Sequence, residues 1–79
     1  MAITQEEILQ DYTAMGDSVN LITSIIAGNK LQDQTDEYKK STVSRNVKHL
    51  ELLVAQDYWT DEDMTDVNAA ITAGNTYVG

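Results

Sequence analysis

Apolar residues recur along the first third of the chain at Ile8, Tyr12, Met15, Val19, Ile22 and Ile26. The steps alternate between four and three, the a/d spacing of a packed helix seam held for about three heptads. Thr4 stands just ahead of this run, with Glu7 three residues on, in the pattern of a capping box. Gly28 follows it and is free to take the left-handed conformation that closes a helix. These signals predict a first helix over 5–27. A second seam, Val43, Val47, Leu50 and Val54, predicts a helix over 36–56 with Thr35 or Asp33 as its cap. Ser41, Thr42, Val43 and Ser44 are poor helix formers, so its early turns need tertiary support. Residues 29–35 read as a polar connection.

Thr60 is a strong cap for a third helix, with Asp63 three residues on and Trp59 and Met64 at the positions of a hydrophobic staple. Met64, Val67 and Ile71 share one face. Gly74-Asn75 repeats the string Gly28-Asn29, each after an alanine, and reads as a second helix C-cap. The third helix is therefore predicted over 61–73, followed by a short β-prone tail, Thr76 to Gly79. The expected fold is all-α: a long antiparallel helical hairpin plus a short third helix, closing a small three-helix bundle that occupies the whole chain as one domain.

The seams do not use every apolar residue. On the first helix Leu9, Leu21 and Ile25 project about 100° or more from the Ile8–Ile26 line. On the second, Leu52 points nearly opposite Val43 and Val54, and Leu53 lies to one side. A hairpin cannot cover both sets. A third helix carrying Trp59, Met64, Val67 and Ile71 covers one. A domain of 79 residues buries only about 60% of its extended surface, so added burial is worth much to it. Leu21, Ile25, Leu52 and Trp59 are accordingly the expected partner-binding residues. Trp59 also suits a core plug under the corner between helices two and three.

Charge sharpens this picture. Thirteen acids against five bases give a net charge of −8. Residues 1–29 carry −4, residues 30–48 carry +2 with all five bases, and residues 49–79 carry −6. Phosphates are repelled at long range, so no nucleic-acid partner is expected. A helix-turn-helix reading fails for the same reason, since Asp61, Glu62, Asp63 and Asp66 crowd the helix that would read DNA. The basic middle suits an acidic neighbour, either within the chain or in another subunit.

Candidate chemistry is sparse. The absence of cysteine excludes disulfides, thiolate zinc sites and cysteine nucleophiles. His49, the one histidine, has no local nucleophile signature and reads as a half-exposed helix residue. The four acids at 61, 62, 63 and 66 lack the alternating ligands and central glycine of a calcium loop, and a helix start explains them. No catalytic residue, cofactor or metal is expected, and no small-molecule substrate. The longest nearly apolar run, Leu21 to Ala27, is far short of the roughly 20 residues that cross a bilayer, so no membrane partner is expected. The N-terminus shows neither a basic nor an apolar leader region.

Trp59-Thr60-Asp61-Glu62-Asp63-Met64, followed by Val67-Asn68-Ala69-Ala70-Ile71, resembles the C-terminal ends of small accessory proteins encoded by tailed phages, including those of marine and cyanobacterial hosts. The resemblance covers about a third of the chain and carries no catalytic residue over. It implies a phage accessory product, with virion assembly as one common role, in the host cytoplasm or built into a particle. The expected function is thus a non-enzymatic helical interaction module, a capsid or tail accessory protein that binds itself or another virion component. The alternative is a small acidic inhibitor that mimics nucleic acid and binds a host enzyme, for which −8 is the motive.

Overall fold

A computed structural model of the chain describes residues 4–59 and 61–79, with side chains of the last helix from Met64 onward. Three helices, α1 (Gln5–Ile26), α2 (Asp36–Val54) and α3 (Asp61–Val78), pack against one another as a small three-helix bundle. It is elongated, 42 × 19 × 18 Å, as α1 requires: 22 residues at 1.5 Å each span about 33 Å.

The helix starts obey local chemistry. Thr4 Oγ1 accepts from the Glu7 N–H at 3.1 Å, and Thr35 Oγ1 accepts from the Tyr38 N–H at 3.1 Å. Each satisfies one orphan donor of a first turn, and Thr35 rather than Asp33 caps α2. Thr60 and the side chains of Asp61, Glu62 and Asp63, the expected cap and acidic first turn of α3, lie outside the described residues. At the end of α1 the Asn29 N–H reaches the Ser24 carbonyl at 2.8 Å and the Gly28 N–H reaches Ile25 at 3.1 Å. With Gly28 at φ +80° this is a Schellman motif. Leu31 also takes a left-handed φ of 59°, a conformation disfavoured for a side chain with a Cβ. Its side chain packs on the core, and that contact holds the turn in place.

The core is formed by Met15, Ile22 and Ile25 of α1, Val43, Val47, Leu50 and Leu53 of α2, and Val67 and Ala70 of α3. The seam of α2 is as expected, with Leu53 added and Val54 half-buried. That of α1 is rotated. The expected line ran through Tyr12, Val19 and Ile26, but Tyr12 is 52% exposed and Ile26 lies at the surface, while Ser18 and Ile25 are buried. The two lines share Met15 and Ile22. A hairpin seam faces one neighbour, whereas α1 touches two helices, and its buried centre falls between them. Ile25, expected to face a partner, is therefore only 2% exposed inside its own subunit.

A second correction concerns α3. It does not stop at Ala73 but continues through Gly74 to Val78, where Gly79 at φ +92° follows. The tail expected to be β-prone is its last turn, with Tyr77 and Val78 packed on the core. Gly74 is buried, and a Cβ built on it would overlap Val47 Cγ2, sit 3.3 Å from Val43 Cγ1 and touch Ile22 Cγ2 at 3.6 Å. Its role is close helix approach, not termination. α2 likewise ends at Val54, two residues before its expected limit.

Candidate functional site

Four aromatic and polar side chains tie the α2–α3 corner to α1. The Trp59 indole N–H donates to the Leu53 carbonyl at 2.7 Å, a second donor to an oxygen near the end of α2 that also accepts from the Gln56 N–H at 3.1 Å. The Tyr58 ring lies 4.7 Å from Trp59 and the Tyr12 ring 6.2 Å from it, both tilted. Such tilted geometry suits the ring quadrupoles. The Tyr58 hydroxyl donates to Asp11 Oδ2 at 2.5 Å. That bond, followed by partial loss of hydration and the negative charges of Asp11, Asp57 and Glu7, pushes the Tyr58 pKa up to about 12. Trp59 is half-buried in this cluster and packs on the core, so it serves as the corner plug.

His49 Nδ1 lies 3.1 Å from Ser18 Oγ, joining α2 to α1. Ser18 is 5% exposed, and a substrate carbonyl could reach its oxygen only if the helices parted. The pair is a polar tie that satisfies a hydroxyl at the centre of the α1 buried line. Sequence reasoning passed over Ser18, because an apolar seam hides a serine whose partner is 31 residues away. Among the described residues no group of three His, Asp or Glu side chains converges to hold a metal, and no helix is long and apolar enough to cross a membrane. A shallow cleft of about 170 Å³ between α1 and α3 is floored by Met15 and Val67 and rimmed by Tyr12, Asn20 and Asp66.

The surface holds the remaining apolar residues. Leu52 is 69% exposed on the outer side of α2, on a stripe with Tyr38, Ser41, Arg45 and Lys48, all exposed. Steps of three and four place these five residues on one face. Leu9 is 65% exposed on the outer side of α1, in a shallow depression shared with Glu6, Gln10, Thr13, Ala14 and Asp17. Asp17 also lines a second depression with Asn20, Leu21, Ser24 and Lys30. Of the four expected partner-binding residues, Leu52 stands free, Leu21 and Trp59 are half-buried against the core, and Ile25 is withdrawn. Leu9 takes its place. Its signal was already visible, since it lies off either α1 line.

The charges on these faces differ in sign. Residues 5–26 contain Glu6, Glu7, Asp11 and Asp17 and no base. In α2 the four bases Lys39, Lys40, Arg45 and Lys48 are grouped over 39–48, with Asp36 and Glu37 before them and Glu51 after. Although α1 and α2 are neighbours, the one ion pair among the described residues is Lys39–Asp36, at 3.4 Å within α2. The opposite charges are not consumed between the helices. Comparison of the chain with protein families, curated proteins and solved structures gives no match.

Proposed function

We propose that the chain is a helical protein–protein interaction module, a structural or assembly component of a phage particle, that works by docking an outer helix face. The observation that carries this reading is Leu52, which stands in solvent at the C-terminal end of an ordered helical stripe while Val43 and Leu50, across the helix from it, are fully buried. Single surface leucines are common in monomers. Here two of them, Leu9 and Leu52, occupy the outer faces of the two longest helices. Covering a leucine side chain completely is worth about 1.5–3 kcal/mol, a large fraction of the stability of so small a domain.

The test is Leu52→Glu. Light scattering coupled to size exclusion reads self-association, and recovery of the chain in particles purified from an infected culture reads incorporation. The variant is expected to weaken one or both at least about tenfold, as a charge buried in a contact does, with its thermal stability unchanged. A monomeric native chain, with incorporation indifferent to Leu52→Glu, overturns the reading. Salt-sensitive binding to a basic nuclease or polymerase through the acids of α1 would replace it with the inhibitor.

A further inference from the structure

We infer that copies of this chain associate through two different faces, the outer stripe of α2 on one copy lying on the outer face of α1 on the next. The inference rests on the docking role just proposed and names the occupant as a second copy. Its basis is charge complementarity. The α2 stripe presents Arg45 and Lys48 beside Leu52, and the α1 face presents Glu6 and Asp17 beside Leu9. Each stripe thus carries an exposed leucine in line with charges of one sign, opposite in the two, while Glu51 lies to the side of the α2 stripe and Lys30 beyond Asp17 at the margin of the α1 face. In both faces the leucine and its charges lie along the helix at steps of three, four, seven or eight residues, so they project from the same side. Neither charge set is neutralised inside the subunit, since the described residues hold no ion pair between α1 and α2.

The alternatives fit less well. A face meeting its own copy would set Arg45 and Lys48 against themselves, or Glu6 and Asp17 against themselves, and like charges across a contact are costly. Joining two different faces satisfies both. Such a contact is heterologous, and each copy retains one face of each kind to offer. A contact of standard size, about 800 Å² per partner, takes roughly one-seventh of the 5473 Å² surface, within the reach of one elongated side.

A charge swap tests this. Arg45→Glu/Lys48→Glu makes both faces acidic, and Glu6→Lys/Asp17→Lys makes both basic. Each variant alone is expected to lose association at least about tenfold by light scattering or sedimentation, and an equimolar mixture is expected to recover it. A salt titration is less informative, because two copies at −8 repel at a distance while the contact attracts.

Bulk repulsion predicts a different pattern. The acidic variant carries −12 and the basic one −4, so net charge alone would make the basic variant associate best. Loss of association by that variant, with recovery on mixing, supports the contact. Undiminished association by either variant, or no recovery on mixing, overturns it. All four positions are exposed, and helical circular dichroism checks that each variant folds; should Glu6→Lys unfold the start of α1, Thr13→Lys/Asp17→Lys replaces it. A native chain that is monomeric at high concentration yet incorporates into particles in a Leu52-dependent way overturns this contact and leaves the docking role standing.

Discussion

Two glycines inside helices make opposite predictions for the same substitution. Gly16 lies on the exposed side of α1, where an added Cβ meets nothing within 4 Å. Replacing it with alanine removes the backbone-entropy cost of glycine, so Gly16→Ala is expected to stabilise the fold by about 0.5–1 kcal/mol. Gly74 has the same intrinsic gain available, but its Cβ would overlap Val47 Cγ2 and crowd Val43 Cγ1 at 3.3 Å. Both neighbours are β-branched, with one strongly preferred rotamer in a helix, and both are buried. They cannot swing aside, so α3 must move away from α2. Overpacking of this kind costs about 1–3 kcal/mol, which exceeds the gain. Gly74→Ala is therefore expected to destabilise by about 1–2 kcal/mol net, a fall in Tm of roughly 4–15 °C for a domain of this size. Urea and thermal unfolding followed by circular dichroism read both variants. The coupling is specific: in a Val47→Ala background the overlap is gone, and Gly74→Ala should turn neutral or stabilising. A Gly74→Ala protein as stable as the native one, or equally damaged with and without Val47, would falsify the close-approach account.

Two further outcomes follow from named bonds. Thr35→Ala removes the side-chain acceptor of the Tyr38 N–H and should cost about 1 kcal/mol in urea unfolding, with Thr35→Ser restoring most of it. The raised pKa of Tyr58 means that its bond to Asp11 contributes fully below the unfolded value near 10 and is lost as pH climbs through about 12, so the native chain should lose stability over that alkaline window. Spectrophotometric titration should show a tyrosine step near pH 12, and Tyr58→Phe should remove both that step and its share of the alkaline loss.

Local signals marked most boundaries well. Thr4, Thr35 and Gly28 act on backbone groups within a few residues of themselves, so their chemistry is readable without the rest of the fold. The α2 seam was legible because its apolar residues define a single dominant line. What escaped reading depends on distances between helices. The phase of α1 is set by two neighbours at once, which moved burial from Ile26 to Ile25 and admitted Ser18. The end of α3 turned on Gly74, whose identity suits a cap and a close approach equally well; only its distance from Val47 separates them. The exposed leucine of α2 was found by opposition to its seam, whereas Leu9 was recognised as surplus without being placed on a surface. The candidate site was thus legible as a surplus of apolar residues, not as a pair of faces.

The corner that closes the bundle also supplies its own spectroscopic label. The sequence has one tryptophan, and Trp59 is hydrogen-bonded to α2, tilted against Tyr58 at 4.7 Å and 6.2 Å from the Tyr12 ring on α1. Its emission colour and its excitation through those two tyrosines report whether the joint is shut, while circular dichroism reports helix content everywhere. Loosening of the joint ahead of helix melting would separate the two signals, so a single unlabelled sample distinguishes opening at one end from collapse of the whole.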